Sequence, residues 1–374
     1  MSSSTQILPT ATTGPMRRME LPPRNHGRSG GVVLALVLAL LVAGSSGSTT
    51  RTTTTQLSDC SQLERQVETE LTQDFLEHNT NRYHTVIKSA RHWFDMLEVD
   101  PFVLRTHGIK GKKKLVELLM AYYDLYQVVA PEDRPSLLDR VREVVAITYE
   151  PQYHDMLQID DKQFKQDATS YLRAPYLMEQ LGLDTRLYRE EIRKVHSRLN
   201  AHMTQRGSHQ RMAFHWYYDH FGLDEPFPLA NAFDKGVIAT RLDLYEFTRR
   251  TVYDLTHEIF IPFEYGEKID SDFFDSDDRL YLRRIMDRLV VYYIMRDDPD
   301  LVAELVSCMV YLRVTDLPTY REAVGYLLKS QRPEGKWGDF ERYRNKYGQF
   351  VDQGFYLHTT LAVTQALTNA FESN

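Results

Sequence analysis

The residues in this sequence that are best suited to metal binding or catalysis are histidines and carboxylates embedded in apolar helical segments. His257 lies in the segment 253–260, His358 opens the last apolar segment, and Glu304 stands among apolar neighbours. A buried carboxylate needs a partner, and neutral imidazole is a common metal ligand. The sequence therefore predicts a divalent transition-metal ion, zinc or copper, held by His257, His358 and Glu304.

Two further histidines belong to the same hypothesis. The segment 206–220 is dense in imidazoles and aromatic rings, and it contains His209 and His215. His215 and Asp219 stand one helical turn apart, so both side chains can reach a common point. We predict that His209 or His215 completes the metal site. The alternative is an aromatic core helix whose histidines form hydrogen bonds with their neighbours.

Aromatic side chains are predicted to wall the same pocket. They are Tyr253, Phe260, Trp216 and Tyr356. Such walls favour a small apolar or aromatic substrate, or a peptide. A metal ion there would act as a Lewis acid or activate a bound water, thiol or oxygen species, with Glu304 and Tyr356 as candidate catalytic groups. The predicted function is a metal-dependent enzyme.

A second chemistry is suggested by the string Asp-Ser-Asp-Asp at 275–278. It resembles the Asp-x-Asp-Asp string with which class II terpene cyclases protonate an alkene or epoxide. That resemblance implies Asp277 as the proton donor of a proton-initiated cyclase. The string also precedes a helix that begins near Arg279, where acidic residues are ordinary N-terminal caps.

The C-terminal segment 331–338 has the spacing Gln-x-x-x-Gly-x-Trp-Gly. It resembles the QW motif of α/α-toroid proteins, the terpene cyclases and the β subunits of protein prenyltransferases. The resemblance implies that the Gln amide ties down helix ends and that the Trp stacks between helical pairs. The segment 352–360 is similar to the start of the final inner helix of the prenyltransferase subunits, where a Tyr-His-Thr run supplies a zinc ligand. Here Leu357 intrudes before the corresponding His358.

The elements that must position these residues are helices. Apolar residues recur at spacings of three and four from Ser61 onward, which indicates an all-α fold. Predicted helices span 61–78, 80–97, 112–130, 134–149, 163–181, 185–205, 208–221, 236–260, 277–296, 300–313, 317–331 and 356–372. Twelve helices make six antiparallel pairs, and with the QW resemblance they predict an α/α toroid. An open stack of helical pairs would show the same periodicity.

The N-terminus is predicted to direct the chain into the secretory pathway. Residues 32–43 carry no polar side chain, but twelve residues are too few to span a bilayer of about 30 Å. We predict a signal peptide over 1–44, cleaved near Ser45, or an uncleaved signal anchor. A Ser/Thr-rich tether follows over 45–58 and a single helical domain over 59–374. The body would lie in the lumen or outside the cell, with membrane contact only through the N-terminal segment.

Composition bounds the remaining possibilities. The net charge of −7 and pI near 6.0 argue against nucleic-acid binding, and the strongest basic run, 112–114, is interpreted as a solvated helix start. Cys60 and Cys308 either pair or remain free thiols. A third function stays open beside the two enzymes. A secreted toroid can be a non-catalytic binding module, as the similar complement thioester domains are.

Overall fold

The computed structural model describes residues 52–226, 228, 232–268 and 271–372, with the side chains of 52–61 left out. These residues form helices, turns and loops, and no strand occurs among them. The all-α prediction is therefore confirmed. The chain divides into two units, Met1–Gln62 and Leu63–Asn374.

The α-helices of the described residues are numbered here in chain order. They are α1 Thr52–Asp95, α2 Pro101–Thr106, α3 Gly111–Val128, α4 Arg134–Val145, α5 Asp161–Gln180, α6 Arg186–Met203, α7 Ser208–Phe221, α8 Val237–Thr240, α9 Arg249–Phe260, α10 Ser276–Met295, α11 Pro299–Tyr311, α12 Pro318–Lys329, α13 Arg344–Tyr347 and α14 Leu357–Glu372. A π-helical turn, Asp352–Tyr356, leads into α14.

Six of these helices pack against one another in succession. Helix α3 contacts α5, α5 contacts α7, α7 contacts α9, α9 contacts α11, α11 contacts α14, and α14 contacts α3. Helices α4, α6, α10 and α12 pack against members of this group. Most residues at the packing faces are apolar. In α11 every residue from Pro299 to Met309 is buried, and the polar members of that stretch are Asp300, Glu304 and Ser307. The six successive helices enclose the cavity described below.

The turn at 331–338 joins three helices through hydrogen bonds. The Gln331 side-chain amide donates to the Val86 carbonyl at 2.8 Å and to the Gly335 carbonyl at 3.0 Å. Trp337 is fully buried, and its indole N–H donates to the Leu327 carbonyl at 2.8 Å. Its backbone N–H donates to the Thr360 hydroxyl at 3.2 Å. The turn therefore fixes the end of α12 against α1 and α14.

Gly335 is required by this turn, and Gly335→Ala is expected to destabilise the protein by more than about 2 kcal/mol. Its φ is +93°, and an added Cβ would lie 2.3 Å from the Ser89 carbonyl oxygen. Gly182→Ala is the matched control, because Gly182 also has a positive φ of +72° but has no atom within 4 Å of the added Cβ. Urea unfolding of both variants measures the difference. Equal losses would show that the close approach to α1 carries no energy.

Several sequence predictions differ from the described structure. The helices predicted at 61–78 and 80–97 are one continuous helix, and the helix predicted at 236–260 is divided into α8, a 3₁₀ turn and α9. Part of the predicted tether, from Thr52 on, belongs to α1, while residues 45–51 and the predicted leader lie outside the described residues. No helix in the described part of the chain is long and apolar enough to cross a membrane.

Cys308 is a buried free thiol on α11. The side chain of its predicted partner, Cys60, lies outside the described residues. The Cys308 thiol lies 3.8 Å from the Thr256 backbone carbonyl. Burial raises its pKa well above the ordinary value, so this thiol is an unreactive core group.

Candidate active site

A cavity of about 210 Å³ lies between the six successive helices. Its wall includes charged, imidazole and aromatic side chains from all six helices. They are Lys113 and Glu117 from α3, Lys165 and Arg173 from α5, His209 from α7, Tyr253, His257 and Phe260 from α9, Glu304 from α11, and His358 from α14. It also receives Lys110 and Arg206 from the segments before α3 and α7. We call it the central cavity.

His257 and His358 approach the same carboxylate from two different helices. Nδ1 of His257 lies 3.9 Å from Oε2 of Glu304, and Nε2 of His358 lies 3.8 Å from Oε1 of the same group. Nε2 of His358 is also 3.6 Å from Oδ1 of Asp300. The structure thus brings together two histidines that are 101 positions apart in sequence, with Glu304 between them.

The Nδ1 atom of each histidine faces an oxygen atom. In His257 it lies 2.9 Å from the Tyr253 carbonyl, which can only accept, so this nitrogen carries the proton. In His358 it lies 3.3 Å from Oε1 of Glu117, although neither atom makes an aligned hydrogen bond. Partners of this kind orient histidine ligands in metal sites. Nε2 is consequently the nitrogen that each ring can offer to a ligand.

The carboxylates are held by hydroxyl groups. The Thr256 hydroxyl donates to Oε2 of Glu304 at 2.5 Å, and the Thr359 hydroxyl donates to Oδ1 of Asp300 at 3.1 Å. Glu304 is 4% exposed. These contacts leave Oε1 of Glu304 facing His358, so the buried carboxylate predicted to need a partner has one.

The two histidines have opposite pKa shifts. Burial alone would lower the pKa of His358, but the carboxylates of Asp300 and Glu117 outweigh it and raise the pKa to about 9. Burial, reinforced by the other histidines, lowers the pKa of His257 well below its ordinary value. Burial also raises the pKa of Glu304. Near neutral pH His358 is therefore cationic and His257 is neutral.

Glu117 remains ionised in this environment. Burial would raise its pKa, but the neighbouring cations hold the pKa well below the ordinary value. Lys114 lies 2.7 Å from Oε2 and Lys113 lies 3.4 Å from Oε1. The interpretation of the run 112–114 as solvated was wrong for Lys112 and Lys114, which are 1% and 8% exposed. They are buried because each has a carboxylate partner, Asp155 for Lys112 and Glu117 for Lys114.

His209 also lies on the wall of the central cavity. Its ring centroid is 5.5 Å from that of His257, and its Nδ1 is 3.2 Å from Oδ1 of Asp254. His215 does not join the group. It is buried on another face of α7, where Nδ1 lies 2.5 Å from Oε2 of Glu225.

Two candidate catalytic residues lie away from the central cavity. The Tyr356 hydroxyl donates to Glu341 at 3.0 Å and accepts from the Phe340 backbone N–H at 3.2 Å, within the packing beside the 331–338 turn. Asp277 is exposed in the first turn of α10, which Asp275 caps through the Asp278 N–H. The acidic string therefore serves as an N-terminal cap here.

A second cavity of about 580 Å³ adjoins the first. It is lined by the C-terminal halves of α3, α5 and α14, whereas the central cavity is lined by their N-terminal halves. Four residues near the middle of the structure belong to both linings, namely Met120, Arg173, Tyr265 and Gln365. Trp216, predicted as a wall of the metal pocket, lines this second cavity instead.

Asp124 in the second cavity is expected to make the stability depend on pH. Burial, only partly opposed by Arg173, raises its pKa to about 7. Because the folded-state pKa exceeds the unfolded value, its contribution is present below about pH 4 and is lost as the pH rises to about 7. Asp124→Asn is therefore expected to gain up to about 4 kcal/mol relative to the wild type across that interval. Urea unfolding at several pH values measures this, and parallel pH profiles would contradict it.

Neither Glu117 nor Asp300 was predicted as a site residue. Glu117 lies between apolar residues at 115–116 and 118–119, which is the same signal that singled out Glu304. Asp300 follows the capping residue Asp298, and its second role at His358 arises only from the packing of α11 on α14.

Residues 80–347 match the model of a protein family described as a domain of unknown function (DUF6895). The matched segment includes Glu117, His209, His257 and Glu304, and it ends before His358. No curated protein and no solved structure matches the chain.

Proposed function

We propose, from the premise that the chain belongs to the DUF6895 family, that it is a metal-dependent enzyme whose active site is the central cavity. The ion would be held by His257, His358 and Glu304, with Asp300 and His209 as the nearest further donors. Zinc or copper suits a set of imidazole and carboxylate donors.

The observation that carries the proposal is that the two nitrogens of each imidazole ring have different surroundings. Each Nδ1 faces a fixed oxygen, the Tyr253 carbonyl at 2.9 Å for His257 and Glu117 at 3.3 Å for His358. Each ring then has only Nε2 left for an ion. In a histidine that only packs in the core, either ring nitrogen could make the internal hydrogen bond.

The spacing of the donor atoms around His358 supports the fit, whereas the His257 atom near Glu304 is Nδ1, at 3.9 Å, so the His257 ring would have to turn to present Nε2 to the same ion. Ligand atoms about 2.0–2.1 Å from a tetrahedral zinc lie about 3.3 Å from each other. Nε2 of His358 lies 3.6 Å from Asp300 and 3.8 Å from Glu304, too far for hydrogen bonds and within about half an ångström of that spacing. The described residues contain no group of three donors already at metal-binding geometry. Binding therefore requires a small closure of side chains around the ion.

The chain's own residues have separable tasks in this proposal. When bound, a divalent ion would polarise a substrate carbonyl or lower the pKa of a bound water. Glu117 and the Tyr253 carbonyl orient the two imidazoles, and Thr256 fixes the Glu304 carboxylate. Phe260, Tyr253 and Leu361 give the wall apolar surface, which supports a small apolar or aromatic substrate or a peptide.

The architecture proposed for this site is an α/α toroid. The contacts that run from α3 through α5, α7, α9 and α11 to α14 and back to α3 support it. So do the hydrogen bonds of Gln331 and Trp337, which tie helix ends as the QW resemblance implies. We retain the secretory leader as a proposal as well; it rests on the apolar run 32–43.

Acid–base catalysis without a metal is the second candidate. It is favoured by the opposite pKa shifts of two histidines on one wall, which provide an acid in His358 and a base in His257. In that case His358 remains protonated up to about pH 9 even when zinc is supplied.

Zinc titration of the purified full chain, followed by calorimetry and by imidazole NMR, tests the proposal. We expect one zinc ion per chain and loss of the His358 proton on binding, because only the neutral imidazole is a ligand. No binding with a retained proton would support the acid–base enzyme. If zinc does not bind, and if replacement of neither His257 nor His358 changes any activity, the non-catalytic binding module is the remaining hypothesis.

A further inference from the structure

The second cavity combines an aromatic wall with two carboxylates, Asp124 and Glu267, that form no close ion pair among the described residues; the cation that acts on Asp124 is the more distant Arg173. Trp216 lies 4.5 Å from Tyr176 and 5.6 Å from Tyr265 between ring centroids. The negative faces of such rings attract cations, and Arg173 already lies 4.0 Å above the Tyr265 ring.

The lining contains three carboxylates, of which Glu372 is exposed, whereas Asp124 and Glu267 are partly buried or hydrogen-bonded. Glu267 accepts hydrogen bonds from the Tyr123 hydroxyl at 2.9 Å and the Tyr176 hydroxyl at 3.1 Å. Oδ2 of Asp124 is buried and has no hydrogen-bond partner. Among the described residues, neither Asp124 nor Glu267 forms an ion pair within 4 Å. A buried carboxylate oxygen without a donor is costly, so this side of the cavity is poised for a donor that carries positive charge.

The ends of the helices that line the second cavity add to its negative electrostatic potential. The C-terminal halves of α3, α5 and α14 line this cavity, and none of the three has a basic residue in its last turn. The partial negative charge at the end of each helix is therefore not compensated by its own side chains. Arg173, on the wall shared with the central cavity, is the only Lys or Arg among the described lining residues.

We propose that the second cavity binds a protonated organic amine. Its N–H groups would donate to Oδ2 of Asp124 and to Glu267, and its apolar body would lie against Trp216 and Tyr176. The unsatisfied Asp124 oxygen favours an amine with N–H groups over a quaternary ammonium ion, which cannot donate. The cavity of about 580 Å³ admits a small molecule of this class. This site is independent of the proposed metal site.

Benzylammonium is the probe, with benzyl alcohol as its neutral counterpart and benzyltrimethylammonium as the cation without N–H groups. Binding to the full chain is followed by tryptophan fluorescence and calorimetry at constant ionic strength, with probe up to about 10 mM. We expect saturable binding of benzylammonium, at least about tenfold weaker binding of both other probes, and a fluorescence change that Trp216→Phe removes.

Asp124→Asn and Glu267→Gln should each weaken benzylammonium binding by about tenfold or more, because each removes a charge while it keeps the side-chain shape. Glu190→Gln is the matched control, because Glu190 is exposed on α6 and removal of its charge leaves the cavity unchanged. The proposal is overturned if benzylammonium does not bind, if benzyl alcohol binds equally well, or if the control weakens binding as much as the two cavity variants. Tightest binding of benzyltrimethylammonium would overturn the role of the Asp124 oxygen.

Discussion

Replacement of His257 and His358 together by glutamine is expected to weaken zinc binding by at least about 100-fold, beyond the 10–100-fold typical of residues that only orient a ligand. Glutamine retains volume and can donate to the carboxylates that face His358, so the fold is preserved while both imidazole ligands are lost. Calorimetric zinc titration of the purified variant measures the loss.

His78→Ala combined with His84→Ala is the control for that variant. Both residues are exposed on α1, so their loss removes two surface imidazoles and leaves the cavity intact. We expect unchanged zinc affinity in this control. If the two double variants lose zinc equally, the metal binds at the surface. If the His257 and His358 variant keeps its affinity, the cavity is not the metal site.

Trp337→Ala is expected to cost about 3–5 kcal/mol of unfolding free energy. The side chain is fully buried, and its indole N–H bonds to the last turn of α12, while its backbone N–H bonds to Thr360 on α14. Truncation leaves a cavity and removes the shorter of two hydrogen bonds to the Leu327 carbonyl, which keeps only the Ser330 hydroxyl at 3.4 Å. Urea unfolding of the zinc-free protein measures the cost without a contribution from ligand binding.

Trp337→Phe separates packing from hydrogen bonding at this position. It keeps most of the apolar volume and removes the indole donor, so we expect a loss of about 1–3 kcal/mol. A loss as large as that of the alanine variant would mean that the hydrogen bond to Leu327 dominates. A change below about 1 kcal/mol for alanine would show that the turn at 331–338 does not stabilise the packing of α12 on α14.

The helical fold was predictable because its signal is local. Apolar spacing of three and four residues marks each long helix, and the turn at 331–338 carries its own glycines. The division of 236–260 was missed, because no Pro or Gly lies between 237 and 260 and only the Asp243/Glu246 capping box marks a new start there. The break occurs at Arg241, which adopts a positive φ of 53°. An arginine gives no sequence signal for that conformation.

The candidate site was predictable only in part, because its pairings are long-range. His209 and His215 are six positions apart, which places them about 120° apart around a helix. The sequence indicates that both cannot face one point, but not which one faces the cavity. Glu117 carries the same apolar flanks as Glu304 and was open to the same inference. The contact of Asp300 with His358 was not predicted, because an acidic residue in the first turn of a helix already has a structural explanation.

Crystals of the zinc-loaded protein, measured on both sides of the zinc absorption edge, test the central claim most directly. The account predicts one anomalous peak within about 2.0–2.2 Å of Nε2 of His257, Nε2 of His358 and a Glu304 oxygen. A peak at surface histidines, or none between these three side chains in crystals that contain stoichiometric zinc, would contradict it.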